Sequence, residues 1–140
     1  MTKRICVILV DRANYGRLKP VMEILKDDKR FSLQIICTGT TLLEKYGKVV
    51  DLIEKDGFEI SSKIYMEYAG CVPETMAMGI GTGIILLTNE IKKLDPDIVL
   101  IIGDRYEALS AAIASAYNNK IIAHVQGGEV SGSIDESARH

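Results

Sequence analysis

Two polar clusters follow directly on apolar runs, and their residue types suit proton transfer and anion binding. Ile98 to Ile102 runs into Gly103-Asp104-Arg105, and Ile121 to Val125 runs into Gln126-Gly127-Gly128-Glu129. Ligands of an open parallel sheet bind outside the carboxyl ends of its strands. Asp104, placed there, is a candidate for moving protons, and Arg105 offers a planar fork for a carboxylate or phosphate. The Gly127-Gly128 step turns sharply and brings backbone close to a ligand. A third cluster, Asp11-Arg12-Ala13-Asn14-Tyr15-Gly16-Arg17, follows the first apolar run and opens a helix. Backbone N–H groups at a helix start favour an anion, and Arg12 and Arg17 strengthen the case for phosphate. Asp135 and Arg139 are spaced i, i+4, so they share a helix face and can pair. Arginines of this kind hold a diphosphate while carboxylates move protons on a group attached to it. Placement alone does not name that group.

Each cluster also has a plainer role. Asp104 can be the N-cap of the following helix, worth about 1 kcal/mol. The Asp135–Arg139 pair can be an exposed ion pair worth almost nothing. Arg12 and Arg17 can be surface arginines on a solvated turn. Thr38-Gly39-Thr40-Thr41 is read as a helix cap rather than a binding loop. Gly79-Ile80-Gly81-Thr82-Gly83 follows no strand and does not match G-x-G-x-x-G, so its small residues are read as allowing close helix packing. His124, inside a strand, is read as a satisfied core residue. No His, Cys or carboxylate spacing points to a metal site.

The elements that must position these clusters alternate strand and helix. Arg4 to Val10 is the first strand. Leu18, Val21, Met22 and Leu25 mark one face of the next helix, with Pro20 in its first turn. Phe31 to Cys37 is a second strand. Leu42, Leu43, Tyr46, Val49, Val50 and Ile53 mark a second helix, ended by Gly57. Phe58 to Ile64 is a weaker third strand. Pro73 opens a helix that runs to Leu94, with Ile84, Leu87, Ile91 and Leu94 on one face, and Asp95-Pro96 stops it. Ile98 to Ile102 reads as a parallel strand buried on both faces. Leu109, Ala112, Ile113 and Ala116 form the next helix face, closing at Asn118-Asn119, and Ile121 to Val125 is a fifth strand. The class is α/β, a Rossmann-like parallel sheet with helices on both faces. The clusters at Arg12, Thr38, Asp104 and Gln126 are then expected along one edge of the sheet.

Composition narrows the function classes. The chain has 140 residues, 47% apolar and 26% charged, with a net charge of −2. That is one ordinary globular domain. No cluster of Lys and Arg provides the counterion displacement that nucleic-acid binding needs, so no nucleic-acid partner is expected. The apolar run Ile5 to Val10 is too short for a signal peptide, and Met76 to Thr88 falls short of a membrane span. Cys6, Cys37 and Cys71 are scattered and odd in number. Cys6 and Cys37 lie in strand-like runs and are expected to be buried free thiols, which fits the cytoplasm. The last residues, Ser137-Ala138-Arg139-His140, stop within a helix that begins near Asp135. The reading is therefore of the front part of a longer protein.

The stretch from Gly103-Asp104-Arg105 through His124-Val125-Gln126-Gly127-Gly128-Glu129 to Asp135-Glu136-Ser137-Ala138-Arg139-His140 resembles the hydrolysing UDP-N-acetylglucosamine 2-epimerases of sialic-acid and legionaminic-acid pathways. Arg12-Ala13-Asn14-Tyr15, with Leu18 and Pro20, is similar to the opening motif of that family. The resemblance implies the N-terminal half of a glycosyltransferase-B-type fold, residues 1–140, with a C-terminal nucleotide-binding domain not included. It implies elimination of UDP to a glycal-like intermediate and addition of water, giving N-acetylmannosamine inverted at C2. It implies no cofactor, neither metal nor nicotinamide, and a homo-oligomer. Asp104, Asp135 and Arg139 fall on family active-site positions, and Arg12 on the arginine near the diphosphate. Glu129 belongs to the Gly-Gly-Glu of the hydrolysing branch. Gln126 lies where many members have Glu, and an amide cannot accept a proton at neutral pH. Arg17 lies where relatives usually have Lys, which keeps the charge but not its geometry. The expected catalytic set is thus Asp104, Asp135, Glu129 and Gln126. The substrate-binding set is Arg12, Arg17, Arg105 and Arg139, and the ligand is a UDP-sugar. A related epimerase of 2,4-diacetamido-6-deoxy sugar nucleotides and a non-catalytic flavodoxin-like binding domain are the alternatives.

Overall fold

A computed structural model describes residues 1–70 and 72–128. Cys71, Glu129, Asp135, Arg139 and the helix expected near Asp135 lie outside the described residues. Five strands form one parallel sheet: β1 (Lys3–Leu9), β2 (Phe31–Cys37), β3 (Ser62–Lys63), β4 (Ile98–Ile102) and β5 (Ile121–Val125). Their order is β3-β2-β1-β4-β5. The helices are α1 (Arg12–Asp27), α2 (Val49–Lys55), α3 (Pro73–Leu94) and α4 (Tyr106–Tyr117). Alternate residues along β1 point to opposite faces. Ile5, Val7 and Leu9 pack with Leu18 and Met22 of α1 and Val49, Val50 and Ile53 of α2. Cys6, Ile8 and Val10 pack with Leu87 and Ile91 of α3 and Ala111 and Ala114 of α4. Helices therefore cover both faces, as expected. The strand order reverses between β1 and β4, whose register pairs Ile5 with Ile98 and Val7 with Leu100. A crevice for ligands opens at such a reversal, outside the carboxyl ends.

Several local expectations are corrected. The first helix begins at Arg12, because the Asp11 carboxylate accepts the Asn14 N–H at 2.8 Å and caps it. Pro20 therefore lies inside the helix rather than in its first turn. An internal proline costs about 3 kcal/mol, and the burial of Tyr15, Leu18 and Met22 offsets it. Val21 is exposed. The expected second helix is instead two 3₁₀ turns, Gly39–Leu42 and Glu44–Tyr46, followed by α2. Gly47 and Lys48, both in the left-handed region (φ 83° and 43°), break the run. Tyr46 is thereby turned out of the core. β3 is only two residues long because Ser61 Oγ accepts the Ile35 N–H at 3.1 Å in place of a ladder carbonyl.

α3 matches its expected bounds, with Pro73 at its start and Asp95 closing it in the left-handed region. Gly79 and Gly83 are buried, and a Cβ on Gly83 would strike Met66 and Ser110 of the neighbouring elements. Their smallness serves packing, as the sequence indicated. α4 buries Glu107, Ala108, Ser110, Ala111, Ala114 and Ser115, not the face through Leu109 and Ala116. It packs on α3 through small residues, and Ser110 Oγ donates to Ile80 O at 3.0 Å. His124 is exposed on β5 rather than buried in the core, although its Nε2 lies 2.7 Å from Gly103 O. Cys6 and Cys37 are buried free thiols, and burial pushes both pKa values up to about 12. No helix among the described residues is long and apolar enough to cross a membrane.

Two glycines give opposite expectations. Gly39 has φ +58°, and a Cβ there would lie 2.5 Å from Val10 O and 2.9 Å from Glu107 Oε2. Gly81 lies within α3, and a Cβ there would meet nothing within 4 Å. Gly39→Ala is expected to destabilise by about 2 kcal/mol or more. Gly81→Ala is expected to stabilise by about 0.5–1 kcal/mol. Urea melts of the two variants check both signs, and a stabilised Gly39→Ala would contradict the packing around Val10 and Glu107.

Candidate active site

The carboxyl ends of β1, β2, β4 and β5 deliver their polar residues to one edge of the sheet, as the alternating pattern requires. Asp11 and Arg12 follow β1, Thr38 and Thr40 follow β2, Asp104 and Arg105 follow β4, and Gln126 follows β5. Close contacts tie these ends together. Thr40 N–H donates to Val10 O at 2.9 Å, and Gly103 N–H to Val125 O at 2.9 Å. Arg12 and Arg105 line one cavity of about 390 Å³ with Asp11, Thr40 and Tyr46. Two guanidinium groups on one concave surface can hold a diphosphate by paired N–H bonds.

Arg17 does not stand alone on its helix. Its Nη1 donates to Gln126 Oε1 at 2.6 Å, joining α1 to the end of β5. Gln126 itself has φ 60°, the left-handed region that a non-glycine residue seldom adopts. The contact places Gln126 with its oxygen on Arg17, which suits a group that orients and not one that takes a proton. Asp104 sits half-buried just before α4. The N-cap position of α4 is Arg105, whose side chain makes no cap bond, and Asp104 lies one residue before it. The threonines after β2 are not side-chain caps. Thr38 Oγ1 donates to Ile64 O at 2.7 Å and Thr41 Oγ1 to Thr38 O at 2.6 Å.

Arg105 has a partner that spacing did not single out. Glu107, fully buried, accepts Arg105 Nε at 3.0 Å and Nη2 at 3.1 Å, a two-bond fork. Burial opposes the charge on Arg105, but the Glu107 bonds and charge outweigh it and raise its pKa. Burial, reinforced by Glu67, pushes the Glu107 carboxyl up to about 8 against the opposing pull of Arg105. Tyr106 Oη donates to Glu67, and burial followed by that bond raises the tyrosine pKa. One signal in the sequence marks Glu107. It is the last charged residue before Lys120, in a helix otherwise built of Ala, Ser, Leu, Ile and Tyr. Nothing local marks Glu67. A second cavity of about 390 Å³, lined by Leu43, Tyr46, Glu67, Tyr68, Met76 and Tyr106, adjoins the first and shares Arg105 with it. Of the expected site residues, the structure brings together Arg12 with Arg105 and Arg17 with Gln126, with Asp104 at the same edge.

Comparison with known proteins agrees with this layout. Residues 23–140 match the family model described as UDP-N-acetylglucosamine 2-epimerase. The chain is 36% identical over 140 residues to the UDP-N,N'-diacetylbacillosamine 2-epimerase (hydrolyzing) of Legionella pneumophila, covering all of this chain and 37% of that protein. It is 31% identical over 138 residues to the UDP-N-acetylglucosamine 2-epimerase of Neisseria meningitidis serogroup B, covering 99% of this chain and 36% of that one. The chain thus spans little more than a third of these relatives. The fold superposes on the crystal structure of UDP-GlcNAc 2-epimerase from Neisseria meningitidis bound to UDP-GlcNAc with a TM-score of 0.80 at 18% identity, over 97% of this chain and 36% of that one. With its parallel sheet, its polar carboxyl edge and a family match over most of its length, the chain belongs to the UDP-N-acetylglucosamine 2-epimerase family.

Proposed function

We propose that a protein carrying this chain is a hydrolysing sugar-nucleotide 2-epimerase that converts UDP-N-acetylglucosamine to N-acetylmannosamine and UDP. The observation that carries the reading is the convergence of Arg12 and Arg105 on one cavity at the strand reversal, at the edge that also bears Asp104 and Gln126. In the first step a base takes the proton from C2, the C1–O bond breaks, and its electrons leave with the UDP oxygen. The arginines lower the barrier by neutralising charge that grows on the diphosphate. In the second step water adds across the new double bond, hydroxyl to C1 and proton to C2 on the opposite face. Asp104 is the described carboxylate best placed for one of these transfers, and Asp135 and Glu129 are proposed for the others. Gln126, held by Arg17, orients the sugar. Arg17 and Arg139 complete the cationic rim. A second domain, consistent with relatives nearly three times as long, holds the uridine. The two buried free thiols favour the cytoplasm.

A second substrate has its own support. The Legionella relative acts on a UDP-linked diacetamido sugar by its name, and it matches the whole of this chain. The cavity beside Arg105 presents Leu43, Met76 and tyrosine rings. Such a surface suits an acetamido or 6-deoxy group better than the hydroxyls of N-acetylglucosamine.

Two experiments test the reading. The 140-residue chain alone is expected to release no UDP from UDP-N-acetylglucosamine, whereas the chain joined to a following nucleotide-binding domain releases UDP and free sugar. Turnover by the chain alone would show that the site has been misplaced. In the active protein, Asp104→Asn keeps shape and removes the proton-accepting charge. UDP release is expected to fall about 100-fold or more, with an unchanged melting curve. Near-wild-type release would move the proton transfer to Asp135 or Glu129.

A further inference from the structure

His124 stands on β5 opposite Ile101 and is exposed, yet its ring is held on two sides. Its Nε2 lies 2.7 Å from Gly103 O. A carbonyl oxygen only accepts, so Nε2 carries a proton and donates it. On the other side lies Gly127. A Cβ there would overlap Nδ1, Cε1 and Cγ of the imidazole. The ring cannot swing aside without giving up Gly103 O. Gly103 and Gly128 turn in the left-handed region, at φ 85° and 75°, and Gly127 does not. Glycine at 127 is therefore required for space and not for backbone conformation. Of the Gly127-Gly128 pair, the second makes the turn and the first seats the imidazole.

Gly103 is where β4 ends and the chain turns to Asp104 and Arg105. The Gly103 N–H donates to Val125 O at 2.9 Å. That bond fixes the peptide before Gly103 and leaves the peptide after it free to rotate. A glycine has no Cβ to restrict that rotation, so the Gly103–Asp104 peptide can flip unless its carbonyl is held. His124 holds it. The paired residues of β4 and β5 end at Ile102 and Val125, so the histidine extends the connection between the strands past their last pair. We propose that His124 is a positioning residue that locks the Gly103–Asp104 peptide, with Gly127 as the seat of its ring, so that the turn bearing Asp104 and Arg105 keeps a fixed place beside the turn bearing Gln126. The second turn is steadied from α1, where Arg17 Nη1 donates to Gln126 Oε1 at 2.6 Å. The acid and the amide at this edge thus depend on one imidazole for their relative placement. A misplacement of about 1 Å at a reacting group can cost about 100-fold in rate, so the lock matters more to turnover than to folding. That Asp104 moves a proton rests on the proposed function, but the lock itself does not.

The test uses a full-length protein that contains this chain, with His124→Gln, His124→Asn and Gly127→Ala. Glutamine carries its N–H where Nε2 stands, whereas asparagine ends where Nδ1 stands and does not reach Gly103 O. By NMR, the His124 Nε2–H signal is expected to be visible and slow to exchange although the residue is exposed, and to be lost in Gly127→Ala. The amide signals of Gly103 and Asp104 are expected to move in His124→Asn and Gly127→Ala and to stay near their original positions in His124→Gln. The kcat for UDP release is expected to fall about 10-fold or more in His124→Asn and in Gly127→Ala, with unchanged melting curves, and to recover in His124→Gln. The double variant His124→Asn/Gly127→Ala is expected to be no slower than the slower single one, because both changes remove the same bond. An Nε2–H that exchanges as fast as that of a free imidazole, or an Asp104 amide unmoved by His124→Asn, would overturn the lock. Asparagine as fast as glutamine, or losses that multiply in the double variant, would overturn its part in turnover. A protein that releases no UDP at all would sink the epimerase reading, and the amide shifts would still decide the lock.

Discussion

The parallel pairing of β1 with β4 is the constraint on which the rest of this structure depends. These two strands bring the ends of two segments more than 90 residues apart in sequence into one ladder, Ile5 against Ile98 and Val7 against Leu100. Asp11 and Arg12 follow one of these carboxyl ends, and Asp104 and Arg105 follow the other. Asp11 starts α1 by capping it, which aims Arg12 into the crevice. Gly103 turns the chain in the left-handed region and delivers Asp104 and Arg105 to the same place. Because the chain leaves β1 for α1 on one face of the sheet and β4 for α4 on the other, the crevice lies between diverging loops and is not filled by them.

A buried acid beneath that crevice links core and function. Glu107 costs stability wherever it is not compensated, and its compensation is Arg105, the group that faces the cavity. The fold therefore cannot relax Arg105 into solvent without leaving a buried carboxylate unpaired. The absence of a side chain at Gly39 is part of the same arrangement, since Val10 O and Glu107 Oε2 occupy the space that a Cβ would need. Preorganised cations of this sort are effective at stabilising charge that develops on a leaving group, because they do not reorganise as it forms. The Arg17–Gln126 bond plays a comparable part at the far end of the edge, tying the left-handed Gln126 to α1.

Much of this arrangement was legible in the sequence, and the exceptions have physical causes. β4 and β5 read cleanly because parallel strands inside a sheet are continuous apolar runs bounded by turn residues. α3 read cleanly because Pro73 and Asp95-Pro96 punctuate it. α4 did not yield its buried face, since it is apolar nearly all round and only its packing against α3 selects Ala108, Ala111 and Ala114. Pro20 misled because proline is commonest in a first turn, while here the Asp11 cap sets the start two turns earlier. Tyr46 looked like part of a helical stripe, but the left-handed Gly47 and Lys48 place it at the cavity. Arg12, Arg105 and Asp104 lie at the carboxyl edge because each follows the apolar run of a parallel strand. Glu107 and Glu67 escaped because their meeting is a tertiary event, made by two segments that no local pattern relates.

The central claim is that the diphosphate of a sugar nucleotide is held at the strand reversal by Arg12 and Arg105. The most direct measurement is a crystal structure of a full-length protein that contains this chain, grown with UDP and N-acetylmannosamine. The account predicts diphosphate oxygens within hydrogen-bonding distance of both guanidinium groups, with the sugar beside Asp104 and Gln126. Nucleotide bound at the amino ends of the strands, or at this edge without contact to Arg12 and Arg105, would contradict it.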